Sequence, residues 1–179
     1  MSVPRLDPMP ADRPLTLRSA RTQDVPVIQA LVEPLARERV LLQKEAVAYY
    51  EAIQEFVVAE EADGTLAGFG ALHVMWQDIA EVRTLAVSEA HRGTGVGHLI
   101  IEELLDRARA VGVERVFCLT FEVEFFRRHG FAVMADQSAV DPEVYAELLR
   151  STDEGVAEFL DLARVKPNTL GNSRMLLEL

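Results

Sequence analysis

The stretch His91-Arg92-Gly93-Thr94-Gly95-Val96-Gly97-His98 constrains this chain more than any other. It follows an apolar run, Thr84-Leu85-Ala86-Val87, and opens an amphipathic helical pattern near Val96. That order reads strand, glycine-rich turn, helix. Glycines at alternate positions leave bare backbone, and the first turn of a helix presents unpaired N–H groups. Such a turn can wrap a phosphate, because helix N-termini favour anions. Arg92 adds a cation suited to the same ligand. Taken alone, the turn reads equally as a tight structural turn. It is not a dinucleotide fingerprint, since His98 stands where the third glycine belongs, nor a Walker loop, since no Gly-Lys-Ser/Thr follows.

The remaining sequence narrows what such a turn can serve. A length of 179 residues suits one domain with a real core, here expected over residues 15–179 after a proline-rich, disordered lead at 1–14. The net charge of −11 argues against nucleic acid as a partner, because that needs a basic surface. An anionic ligand must therefore be held by local positive features. No stretch approaches the roughly 20 apolar residues that span a membrane, and the lead lacks the apolar core of a signal peptide. A cytoplasmic location is the default expectation. The single cysteine, Cys118, excludes an internal disulfide, and the four scattered histidines have no metal-like spacing, so no metal is expected.

Leu15 to Ala20 reads as a strand, followed by a helix capped by Thr22 or Asp24 and carrying Val25, Ile28, Leu31, Val32 and Leu35 on one face. A second helix is expected from about Glu45 to Gln54. Glu55–Glu60, Leu66–Met75 and Ile79–Val87 read as three strands of an antiparallel meander, the first two joined by the turn signal Asp63-Gly64. Gly68 and Gly70 suggest a bulge or a close backbone approach. A helix from Gly95 to Val111, closed by Gly112, leads to a strand at Arg115–Thr120, and this βαβ unit makes the flanking strands parallel. A short helix at Glu122–His129 and a strand at Phe131–Met134 follow. Two further helices (Asp141 to Arg150 and Glu154 to Ala163) and a closing strand at Leu170–Leu179 complete the chain. Glu60-Glu61 reads as a solvated strand end, and at least one of His91 and His98 as a plain surface residue.

Arg92-x-x-Gly95-x-Gly97 after Leu85-Ala86-Val87 resembles the acetyl-CoA signature of the GNAT superfamily of N-acetyltransferases. The element order and the later Phe125-Phe126-Arg127-Arg128-His129-Gly130-Phe131 agree with it over roughly Leu15 to Met134. The resemblance implies an α/β fold of the GNAT type, with a mixed antiparallel and parallel sheet, flanking helices and a splayed strand pair. It implies acetyl-CoA as co-substrate. Main-chain groups of Leu85, Ala86 and Val87 would hold the pantetheine arm as an added strand would. Arg92, Gly93, Thr94, Gly95, Val96, Gly97 and His98 would hold the pyrophosphate.

Three segments are similar to N-acetylglutamate synthases, in particular short stand-alone bacterial forms: Leu35 to Lys44, Ala80 to Val87 and Gly171 to Leu176. This resemblance implies acetyl transfer to the α-amine of glutamate, the first step of arginine biosynthesis. Glu81 matches the general base and Thr120 a hydroxyl that reprotonates the leaving thiolate. Lys44, Arg83, Asn172, Ser173 and Arg174 match positions that hold the acceptor. An α-amine with pKa of about 8 needs such a base at neutral pH. The plain alternatives are a solvated glutamate, an exposed lysine, a Glu81–Arg83 ion pair, a strand threonine and an ordinary last strand.

Two features depart from the family. Thr120-Phe121-Glu122-Val123 replaces the Thr-Thr-Arg-Thr of long synthases, and Glu122 suits a neutral amide such as glutamine. Phe125 and Phe126 stand where many members carry a tyrosine acid. Alternative acceptors are another small amine or a protein N-terminus, and a different class altogether is a CoA-binding regulatory module without turnover. The expected partner is a small-molecule amino acid, and a homodimer is admissible.

Overall fold

A computed structural model describes residues 14–41, 44–135, 140–162, 165 and 171–179. Apart from Pro14, the N-terminal lead lies outside these, as do Leu42, Gln43, Ala163 and Leu170.

The strands are β1 (Thr16–Ser19), β2 (Phe56–Glu60), β3 (Leu66–Trp76), β4 (Ile79–Val87), β5 (Arg115–Thr120), β6 (Ala132–Val133) and β7 (Ser173–Glu178). Among the described residues they form one sheet in the order β1-β2-β3-β4-β5-β7-β6. β4 and β5 are parallel, and the other neighbours are antiparallel. The closing strand inserts between β5 and β6, a placement that no local pattern announces. β6 keeps two residues of the four expected.

Among the described residues six α-helices flank this sheet: α1 (Val25–Arg37), α2 (Ala46–Glu51), α3 (Val96–Val111), α4 (Val123–Arg127), α5 (Pro142–Leu148) and α6 (Glu154–Phe159). The period-3.6 apolar stripe of α3 packs Ile100 and Leu104 on Ala67, Val82 and Val116. On the other face Ile28, Val32 and Tyr49 meet Val58 and Phe69. Leu148, Val156 and Phe159 of α5 and α6 extend that cover over Met75, Ile79 and Phe117. Each such fully buried side chain contributes about 1.5–3 kcal/mol. Strand alternation puts Glu81 on the same face as Ile79, under α6.

Several local expectations change. Asp24 does precede α1, yet its carboxylate faces backward, accepting from Arg18 Nη1 at 2.7 Å and Arg21 N–H at 2.7 Å instead of capping the helix. The second helix ends at Glu51 and passes into a 3₁₀ turn at Ile53–Glu55. Glu60-Glu61 is not a solvated end: Glu60 pairs with Arg18 at 2.8 Å, and buried Glu61 pairs with His91 Nε2 at 3.2 Å. His98 is likewise occupied, its Nδ1 lying 2.7 Å from His129 Nε2.

Candidate active site

The site begins where β4 and β5 part. Among the described residues they pair at Ile79–Arg115, Ala80–Val116 and Glu81–Phe117 and then separate. A bulge drives the separation from the β4 side: the β3–β4 register slips between Phe69 and Ala71, and Thr84 takes φ 56°. A β-branched residue rarely adopts that conformation, at a cost of order 1–3 kcal/mol. Gly70 admits the bulge, since a Cβ there would lie 3.0 Å from Leu85 Cδ1 and from Ile100 and Leu104 of α3. At Gly68 a Cβ would sit 2.8 Å from Ala86 O. The glycines expected to mark a bulge or a close approach do both.

Between the parted strands lies a cavity of about 200 Å³. Arg83 to Val87, Gly97, Leu119 to Glu122, Phe125 and Phe126 line it, with Val40 and Leu41 at its side. Wider hollows of about 480 and 440 Å³ occur near the β3–β4 turn and beside β6; Glu81 lines none of the three, and of them the cavity between the parted strands is the one that reaches Gly97 of the glycine turn. At the far end of the cavity Gly93 and Gly95 adopt φ 76° and 92°, where an added Cβ would meet no atom within 4 Å. The loop therefore presents open backbone beside the first turn of α3. Val96, Gly97 and His98 have no carbonyl four residues back to bond, which leaves their N–H groups for an anion. Gly97 also lets α3 approach α4, where a Cβ would be 3.3 Å from the Phe125 ring. A phosphate cradle joined to a slot between splayed strands fits the pyrophosphate and pantetheine arm of a CoA thioester.

Glu81 lies at the root of the splay, 4 % exposed, with Oε2 buried and lacking a hydrogen-bond partner among the described residues. Burial pushes its carboxyl up to about 7; the Glu158 and Asp153 charges add to this, while Arg83 and Lys44 oppose it. Arg83 Nη1 is 3.7 Å from Glu81 Oε2 and donates to Asp153 Oδ2 at 2.9 Å, while Nη2 donates to Glu55 Oε2 at 3.0 Å. Glu55 Oε1 is 2.7 Å from His73 Nδ1. Thr120 is buried, and its Oγ1 accepts the Glu122 N–H at 2.8 Å. Ser173 pairs with Thr120 across β5 and β7, so the C-terminal strand reaches the same end of the splay.

The fold thus brings Glu81, Arg83, Thr120 and Ser173 to the splayed strands, with Lys44 near enough for its charge to act on Glu81 and with Leu85 to Val87 and Arg92 to His98 along and beyond the splay. Arg174 points elsewhere: Nε donates to Glu158 O at 3.0 Å and Nη2 to Phe159 O, holding the end of α6. Asn172 is half-buried at the start of β7. Tyr49 belongs to the core beneath α1, and Tyr50 is exposed.

Four groups escaped sequence reasoning: Glu55, His73, Asp153 and Glu158. Asp153 had a local signal as a helix cap, and its Oδ1 does accept the Val156 N–H at 3.1 Å. Glu158 had none, being one acid among many in an acidic chain.

A family model for the Acetyltransferase (GNAT) family matches residues 27–131. The chain belongs to this family, and it is an acetyl-CoA-dependent N-acetyltransferase. Within the family it is of the amino-acid acetyltransferase type. It is 54% identical to an amino-acid acetyltransferase of Mycobacterium tuberculosis over 172 residues, 95% of this chain and 98% of that protein. An amino-acid acetyltransferase of Neisseria meningitidis is 32% identical over 68% of this chain, which spans only 28% of that longer protein. Among solved structures, a Mycobacterium tuberculosis protein in complex with CoA and NLQ superposes with TM-score 0.87 and 55% identity, covering 92% of this chain and 99% of that one. The N-acetylglutamate synthase of Neisseria gonorrhoeae, complexed with coenzyme A and N-acetyl-glutamate, gives TM-score 0.75 and 26% identity over 94% of this chain and 36% of that one. Among the described residues no cluster fit for a metal ion occurs, and no helix is long and apolar enough to cross a membrane.

Proposed function

We propose that this chain, acting as a single domain over residues 15–179, acetylates the α-amine of glutamate, or of glutamine, as the first step of arginine biosynthesis in the cytoplasm. The observation that carries this reading is the buried Glu81 carboxylate, raised to about 7, set between two cations at the root of the splay. The relatives named above, an amino-acid acetyltransferase and an N-acetylglutamate synthase, support the acceptor class.

Acetyl-CoA supplies the thioester carbonyl that the amine attacks. Main-chain groups of Leu85 to Val87 hold the donor's arm like an added strand, and the N–H groups from Gly93 to His98 with Arg92 hold its pyrophosphate. Lys44 and Arg83 meet the acceptor's carboxylates, with Asn172 and Ser173 at the C-terminal end of the pocket, while Arg174 holds the end of α6. Glu81 takes a proton from the ammonium, which arrives charged at neutral pH and cannot attack until it is neutral. Thr120 accepts a hydrogen bond from Glu122 and so has its own O–H to donate into the cavity. No covalent enzyme intermediate is required. A peptide acceptor needs an open groove, whereas Glu81 is covered by α6, which favours a small amine.

The test is release of free CoA thiol from acetyl-CoA with each of the twenty amino acids. Glutamate, glutamine or both should give turnover, and their ratio identifies the preferred acceptor. Absence of turnover with both overturns the reading.

A further inference from the structure

Glu81 is not the only acid buried under α6. Gly155 abuts it so closely that a Cβ there would lie 2.0 Å from Glu81 Oε2. Glu158 stands three residues further along the same helix, 6 % exposed. Residues i and i+3 share a helix face, and helical side chains lean toward the N-terminus. The Glu158 carboxylate accordingly lies near enough for its charge to act on Glu81. Its backbone is held from both ends. Arg174 Nε donates to Glu158 O at 3.0 Å, and Asp153, the α6 cap, is tied to Arg83 at 2.9 Å.

The charge around this pair is unbalanced. Facing it are Arg83 of β4, His73 of β3, Glu55 before β2, Lys44 before α2, and Asp153 and Glu154 at the start of α6. Arg83 is already engaged by Asp153 and Glu55. Its charge and that of Lys44 are therefore shared among Glu81, Glu158, Asp153 and Glu55. Among the described residues, four carboxylates that share two fixed cations lack positive charge. An ammonium group supplies it.

The geometry points to Glu158 as a second acceptor-binding carboxylate, which holds the acceptor's ammonium against Glu81. This rests on the α-amine reading above. In the step, one N–H bond of the ammonium breaks and an O–H bond forms on Glu81; the nitrogen keeps the electron pair for attack, and Glu158 stays ionised. Burial also raises Glu158 to about 7, and its charge lifts Glu81.

The experiment compares the full chain with Glu158→Gln and Glu158→Asp, each carrying ¹³C-carboxyl glutamate, in an NMR pH titration of Glu81 assigned through Glu81→Gln. Glu158→Gln should lower the Glu81 midpoint by about one pH unit, with Glu158→Asp between it and wild type. An unmoved midpoint in both variants overturns the pairing. In turnover, Glu158→Gln should raise the acceptor KM roughly tenfold, shift the acid limb of the rate profile down and leave the Kd for CoA unchanged. An unchanged acceptor KM overturns the binding role. If wild type acetylates neither amino acid, the acceptor reading fails on its own and the NMR midpoint decides the carboxylate pair.

Discussion

Replacing Glu81 by glutamine should alter stability as well as turnover, and in a pH-dependent way. The carboxyl rises from an ordinary 4.5 to about 7 in the fold, chiefly because it is buried. At about 1.4 kcal/mol per pH unit, keeping it ionised costs the folded state roughly 3 kcal/mol. The folded value lies above the unfolded one, so Glu81's contribution is fully present below about pH 4.5 and is lost as pH rises through about 7. Glutamine does not titrate and escapes that loss. Its amide meets the same buried surroundings at every pH, so the informative quantity is how the gap between variant and wild type changes with pH. Between pH 5 and pH 8.5, Glu81→Gln should gain roughly 3 kcal/mol relative to wild type, or roughly 6–12 °C in Tm for a chain of this size. Urea unfolding at both pH values measures the gap. Parallel stability curves across this range would refute the claim that Glu81 is ionised at a cost, and with it the physical basis for its role as a base. The same variant should lose most of its turnover at neutral pH while binding acetyl-CoA normally.

Gly155→Ala places a Cβ 2.0 Å from Glu81 Oε2 and 2.7 Å from its Cδ, so α6 or the carboxylate must move. Destabilisation of about 1–3 kcal/mol and a reduced kcat with unchanged CoA affinity are expected, and wild-type urea stability would contradict the contact. Arg92→Ala should weaken CoA binding about tenfold by calorimetry at low salt with little effect on Tm. An unchanged Kd would return Arg92 to a surface role.

Much of the scaffold was legible because its signals are local. The three strands of the meander, the βαβ unit and the helix after the glycine turn follow from apolar spacing of two or 3.6 residues. The turn itself was legible because Gly93 and Gly95 occupy backbone conformations that other residues adopt only with strain. What lay beyond reach was settled by contacts between distant segments. Thr84 bulges although its sequence continues a regular strand, because Gly70 and α3 leave room for Leu85 there. The closing strand enters between β5 and β6 through backbone pairing that no side-chain pattern encodes. Arg83 and Arg174, both matched from the sequence to acceptor positions, hold Asp153 and the end of α6 in the fold.

The sequence by itself marked the acetyl-CoA half of this protein, since a strand, a glycine turn and a helix N-terminus are consecutive in the chain and gather exposed N–H groups from their own backbone. Tertiary structure alone decided the surroundings of Glu81. Gly155 abuts it only when α6 folds over β4, and the burial that raises the Glu81 and Glu158 carboxyls exists only once that contact has formed.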